Sequence, residues 1–151
     1  MRFLIQRVQQ AAVSIDGREV AAIKKGYVVL VGISPTDHTI LAQKMLDKLC
    51  KLRIFSDENG KTNLSIQDAA GEILLVSQFT LYANCKKGNR PSFTENAPAE
   101  QARQLFSELL ELCRNNGIPT KSGVFGADMQ ISLINDGPFT VLLDSRELFN
   151  E

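Results

Sequence analysis

The tetrapeptide Ser77-Gln78-Phe79-Thr80 follows directly on the apolar run Ile73-Leu74-Leu75-Val76. Hydroxyls and an amide at the end of a buried strand are a common place for a site, because a rigid element holds them there. The same groups can equally satisfy backbone donors and acceptors where a strand breaks. A second cluster, Asn135-Asp136-Gly137-Pro138, closes an alternating run that begins at Met129. Gly-Pro at such a point is the mark of a turn, and only about 5–6% of X-Pro bonds are cis. A third stretch, Lys86-Lys87-Gly88-Asn89-Arg90-Pro91-Ser92-Phe93, is a basic loop with one aromatic residue. Lys86, Lys87 and Arg90 could contact phosphate there, or form a solvated surface.

Other chemistries are excluded by what the chain lacks. A Ser-His or Cys-His pair needs an imidazole beside its nucleophile; the one histidine, His38, could serve, but it reads better as a solvated residue in the first turn of a helix. Cys50, Cys85 and Cys113 are scattered and odd in number, which fits reduced thiols and not a disulfide framework. With a single His they do not supply the closely spaced ligands that zinc requires. Neither a phosphate-cradling Gly-rich loop nor a dinucleotide fingerprint is present. An enzyme built on this chain is therefore expected to work without metal, cofactor or histidine base.

The elements that must position these residues can be placed by periodicity. Apolar residues Leu41, Met45, Leu46, Leu49 and Leu52 recur at helical steps over 37–52. A second helix carries Ala102, Leu105, Phe106, Leu109, Leu110 and Cys113 on one stripe, with Asn96 as N-cap and Gly117 as the stop. Strands account for the rest. Residues 12–15 and 18–23 flank Asp16-Gly17, a preferred hairpin dipeptide. The continuous apolar runs 27–33 and 73–76 predict strands covered on both faces. Met129, Ile131 and Leu133 alternate with polar residues, predicting a strand with one buried face, and 141–143 a short last strand.

These elements make an α+β domain: one curved mixed sheet or partial barrel with two main helices, a single domain over 1–151. The polar end from about 144 to 151 is expected to be a frayed tail or a short helix. Seventeen basic residues balance seventeen acidic ones, so any nucleic-acid contact must use a local patch. A secretory signal and a spanning apolar run are both missing, which makes the cytoplasm the expected location and no membrane the expected partner.

Together these segments resemble the D-aminoacyl-tRNA deacylase family. The resemblance rests on a Ser-Gln-x-x-Leu segment, here Ser77-Gln78-Phe79-Thr80-Leu81, and an Asn-x-x-Pro segment, here Asn135-Asp136-Gly137-Pro138. It extends through Leu4-Ile5-Gln6-Arg7-Val8, Arg53-Ile54-Phe55-Ser56-Asp57, Arg90-Pro91-Ser92-Phe93, Gly123-Val124-Phe125 and Ala127-Asp128-Met129-Gln130. One departure is Phe139, which stands where members usually carry Val directly after the Gly-Pro pair.

The resemblance implies a hydrolase that removes D-amino acids from the 3′-terminal adenosine of tRNA. It implies a homodimer with its active sites at the subunit interface. It further implies a cis Gly137–Pro138 bond that reaches into the partner's site, takes the substrate α-amino group on main-chain oxygens and leaves no room for an L side chain. Glycine, having no side chain to reject, is then also accepted. Arg7 is implied to buttress the Gly-Pro loop, against the plainer reading of a strand-end surface charge. Phe125 and Met129 are implied to line the adenosine pocket, although Met129 shares a face with Ile131 and Leu133 and could be core. Ser77 and Gln78 would position ribose and carbonyl, and N–H groups near Phe79 and Thr80 would stabilise the oxyanion. Thr80 has no base to activate it, which favours a water assisted by the tRNA 2′-OH. The rival readings are an RNA-binding dimer without turnover and a Thr or Ser esterase acting on small esters.

Overall fold

The computed structural model describes residues 1–150, and its architecture is organised around one long strand. Strand β1 (Arg2–Ile15) pairs along one edge with β8 (Gln130–Asp144), antiparallel. On its other edge the first half pairs with β3 (Gly26–Gly32) and the second half with β2 (Arg18–Ile23). The β1–β2 turn is Asp16-Gly17 with φ +50° and +75°, as the hairpin dipeptide predicts. From β3 the sheet continues in parallel through β6 (Glu72–Ser77) to β7 (Thr120–Ser122). Lys121 of β7 donates from Nζ to the Ala22 carbonyl of β2 (2.6 Å), so the curved sheet nearly closes on itself. Gly26 permits the tight β3–β6 approach, since a Cβ there would lie 1.8 Å from the Glu72 carbonyl oxygen. A separate small hairpin pairs β4 (Phe55–Ser56) with β5 (Thr62–Leu64).

Helices α1 (Thr39–Lys51) and α2 (Ala99–Asn115) cover one face of the sheet. Their apolar stripes bury Leu41, Met45, Leu46, Leu49, Leu105, Phe106 and Leu109 against Phe3, Ile5, Val29 and Leu75. The opposite face holds a second core of Val8, Val13, Val28, Leu74 and Val76, with Met129, Ile131 and Leu133 packed on it. Strands β3 and β6 are thus covered on both sides, as their unbroken apolar runs predict.

Three local expectations change. Helix α2 starts after Pro98 and not at Asn96, and Pro98 supplies no side-chain cap. His38 is exposed, as expected, but it precedes α1 as its cap and is not in the first turn: its Nδ1 accepts the Leu41 N–H at 3.3 Å. The Asn135–Pro138 segment does not close a strand. Four residues, 136–139, bulge out opposite Arg7 alone, and pairing resumes from Val8↔Asn135 to Gln6↔Thr140. The turn residues are real, but the ladder bridges across them. The two main helices stand as expected, and a third, short one follows β8.

That third helix, α3 (Ser145–Phe149), settles the choice between a frayed tail and a short helix. Ser145 is buried and its Oγ accepts from the Met1 ammonium at 2.8 Å, which also pairs with Asp37 Oδ1 at 2.6 Å. Asp144 caps α3 by accepting the Arg146 N–H (3.0 Å) and binds Arg2 Nε at 2.7 Å. Burial alone would raise the Asp144 carboxyl, but the Arg2 and Arg146 hydrogen bonds and neighbouring positive charge outweigh it and lower it. A carboxyl lower in the folded than in the unfolded chain contributes stability above about pH 4, which is lost as pH falls through the folded value. Asp144→Asn is therefore expected to lose about 1–3 kcal/mol at pH 7, with the gap to the parent narrowing toward pH 3. Urea midpoints of both proteins at the two pH values check this.

Candidate functional site

Strand β6 ends at Ser77, and the Gln78 N–H still donates to the Val31 carbonyl of β3 (2.8 Å). The chain then winds into a single 3-10 turn, Phe79–Tyr82. Phe79 and Thr80 are its first two residues, so their N–H groups have no partner within the turn. Arg2 fixes the far end by donating from Nη1 to the Leu81 carbonyl (2.8 Å), while its guanidinium stacks on Tyr82. Gln78 Nε2 donates to Thr80 Oγ1, which aims the hydroxyl. The one histidine of the chain is engaged elsewhere, since His38 Nδ1 accepts the Leu41 N–H at the start of α1.

A cavity of about 510 Å³ opens beside this turn. Ser77, Gln78 and Phe79 form one wall, Phe125, Gly126, Asp128 and Met129 another, and Asn96, Ala99 and Ala102 near the start of α2 a third. Phe79 is 58% exposed and meets Phe93 edge-on, with ring centroids 4.9 Å apart. Phe125 lies against α2, its ring 6.0 Å from that of Phe106 and 5.0 Å below the Arg103 guanidinium. Met129 packs on the second core and also lines the cavity. Thr80 sits one residue beyond the lining.

Lys86, Lys87 and Arg90 are exposed on the loop after the turn and do not line the cavity. The base of that loop is closed by the Asn84–Ser92 backbone pair, 2.8 and 3.0 Å, immediately before the cavity-lining Phe93. The loop therefore stands next to the mouth.

The Gly137–Pro138 bulge is elsewhere in the same chain. Its peptide is cis, Gly137 has φ +127°, and both residues are exposed. It lies opposite Arg7, four residues along β1 from Phe3, the residue level with Val31 and Ser77. Three strand spacings separate β8 from β6, so the bulge is on the order of 15–20 Å from the cavity wall. Arg7 is not a surface charge: it is 8% exposed. It donates Nη1 to the Ile54 carbonyl (2.6 Å) and Nε to the Asp136 carbonyl (3.1 Å), and stacks 4.9 Å over Phe139. Asn135 clasps the bulge from below, accepting the Phe139 N–H on Oδ1 (2.8 Å). Phe139, the residue that departs from the family pattern, is thus part of the scaffold and leaves the exposed Gly-Pro pair unobstructed.

Sequence reasoning missed Arg2, Phe93 and Asp128. No spacing signal marks Arg2, whose role depends on β1 passing beneath the 3-10 turn. Phe93 was visible only as the aromatic in a basic loop. Among the described residues no group of three His, Cys, Asp or Glu side chains gathers as a metal would need, and no helix is long and apolar enough to cross a membrane. Burial pushes the Cys50 thiol up and the Cys113 thiol up to about 12, so neither supplies a thiolate at neutral pH.

The family described as D-Tyr-tRNA(Tyr) deacylase matches residues 4–144. A D-aminoacyl-tRNA deacylase of Lactobacillus acidophilus is 53% identical over 144 residues, covering 95% of this chain and 99% of that protein. The protein of the same description from Thermosipho africanus is 48% identical, covering 99% and 100%. Among solved structures, the c-Myc DNA Unwinding Element Binding Protein superposes with TM-score 0.90 at 42% identity, covering 95% of this chain and 98% of that one. A probable eukaryotic D-amino acid tRNA deacylase shares the fold, with TM-score 0.82 at 17% identity.

Proposed function

The chain belongs to the D-Tyr-tRNA(Tyr) deacylase family, a family of aminoacyl-tRNA ester hydrolases, and from that premise we propose how its residues divide the work. The observation that carries the reading is one cavity lined by Ser77, Gln78 and Phe79 on one side and Phe125 and Met129 on the other. The 3′-terminal adenosine enters this cavity, its base against Phe125 and Met129, a kind of contact contributing about 1–3 kcal/mol per base. Ser77 and Gln78 orient the ribose and the ester carbonyl. The Phe79 and Thr80 N–H groups, free of partners within the turn, receive the developing oxyanion.

The ester is already activated, so oxyanion stabilisation of roughly 3–4 kcal/mol goes far toward the rate. Water is the nucleophile, aided by the neighbouring 2′-OH of the substrate, and Thr80 is not acylated. Selectivity comes from a second copy of the chain. Its Gly137 and Pro138 carbonyls take the α-ammonium and close the side on which an L side chain would project, so D-aminoacyl and glycyl esters are cleaved and L esters spared. Support for a homodimer is the position of the bulge: outward-facing, distant from its own cavity, and flanked on β8 by exposed Ile134 and Leu142. Lys86, Lys87 and Arg90 add sequence-independent attraction for the tRNA backbone.

Matched D-tyrosyl-tRNA and L-tyrosyl-tRNA, incubated with the protein in the presence of chelator, test this directly. Rapid loss of the D ester with the L ester spared is the expected result. Equal loss of both would remove the Gly137–Pro138 argument, and tRNA binding without turnover would leave a binding module.

A further inference from the structure

A cation outside the basic loop touches the cavity wall. Arg103, on the second turn of α2, lays its guanidinium 5.0 Å over the ring of Phe125, and Phe125 lines the cavity. Its Nη2 lies 3.9 Å from where a Cβ on Gly126 would stand, and Gly126 is also in the lining. The head group is therefore at the rim, beside the ring proposed to receive the base. About half the side chain is exposed, and its ion pair with Glu100 is long, 3.8 Å, to a carboxylate itself 89% exposed. Such a pair is nearly worthless in water and easily exchanged. A guanidinium stacked on an aromatic face keeps its N–H fork at the edge, in the plane suited to a bidentate oxyanion.

We propose that Arg103 binds the phosphodiester immediately 5′ of the terminal adenosine. It thereby sets the register in which the acceptor end enters, while also steadying Phe125. The assignment rests on the adenosine reading of the cavity. It differs from the loop contacts in kind: Lys86, Lys87 and Arg90 face solvent without an aromatic support, whereas Arg103 is pre-oriented by Phe125. Phosphate contact fixes position and not sequence, so no tRNA preference follows from it.

The test compares D-tyrosyl esters of adenosine, which lacks that phosphate, and of the trinucleotide CCA, which has it. For the parent and for Arg103→Met, which keeps an aliphatic cover on Phe125, KM and kcat are measured on both. The expected result is that the preference for trinucleotide over nucleoside ester, read as a KM ratio, falls roughly tenfold in Arg103→Met. The salt slope of trinucleotide binding should also drop by about 0.7. Arg103→Lys should recover part of the ratio, since charge returns without the fork. An unchanged ratio overturns the proposal, whether both KM values rise together through Phe125 or neither moves. Failure of the parent protein to cleave either D ester overturns the adenosine reading itself, and this assignment with it. Matching thermal melts of the three proteins separate any loss from misfolding.

Discussion

Arg7→Met is expected to lower the unfolding free energy by about 2–3 kcal/mol and to erase most of the preference for D over L esters. The guanidinium is 8% exposed and serves two main-chain carbonyls, Ile54 at 2.6 Å and Asp136 at 3.1 Å. Methionine fills similar volume but offers no donor, leaving the Ile54 carbonyl short of its partner in a site closed to water. The ion pair with Asp136, 3.3 Å, adds little, because that carboxylate is 39% exposed and rehydrates. The functional loss comes from geometry. Arg7 sits inside the four-residue bulge: a Cβ on Gly137 would approach its Nη2 to 3.0 Å, and Phe139 packs on its face. Without it the Gly137 and Pro138 carbonyls lose the support that aims them, and steric rejection of an L side chain needs placement to well under an ångström. Arg7→Lys should be nearly as harmful for selectivity, since one ammonium cannot span both carbonyls. Urea denaturation gives the first quantity and initial rates on matched D- and L-tyrosyl-tRNA the second. Retained discrimination in Arg7→Met would show that the bulge is set by Asn135 alone.

How much of this was legible beforehand varies with the range of the interaction that decides it. The two amphipathic helices and the doubly covered strands β3 and β6 were readable because their period or unbroken apolarity is a local property of the chain. The end of β6 at Ser77 was readable for the same reason, and it places the candidate site. The path of β8 was not. Asn135-Asp136-Gly137-Pro138 has the composition of a turn, and only fourteen residues of β1 lying alongside keep the ladder going past it. The capping role of His38 was not readable, because its partner, the Leu41 N–H, is in place only once α1 has formed. The C-terminal residues looked loose because what holds them, Arg2 and the Met1 ammonium, lies more than 140 residues away. The cavity needed both kinds of information. Ser77-Gln78-Phe79 was singled out along the chain, and Phe125 and Met129 by resemblance, but the parallel pairing of β6 with β7 brings them face to face.

Phe79→Pro, compared with Phe79→Ala, is expected to lower kcat about 10²- to 10³-fold on D-tyrosyl-tRNA, the effect of losing one oxyanion donor. The comparison isolates a single N–H. Both variants remove the ring that meets Phe93, so the aromatic loss cancels between them. Proline is tolerated at the first position of a helical turn, where the missing N–H has no partner within the turn anyway. The preceding residue, Gln78, already has φ −143° and ψ 84°, outside the helical region that proline disfavours before it. The 3-10 turn should therefore persist, held at its far end by Arg2 on the Leu81 carbonyl and at its start by the Gln78 N–H on Val31. Thr80→Ala is expected to cost far less. Its hydroxyl is held by Gln78, and a nucleophilic hydroxyl without a base is a poor one. The two variants thus divide the mechanism between a main-chain donor and a side-chain nucleophile. Trapping an acyl group on Thr80, with Thr80→Ala inactive and Phe79→Pro matching Phe79→Ala, would reverse the assignment and make the threonine the attacking group.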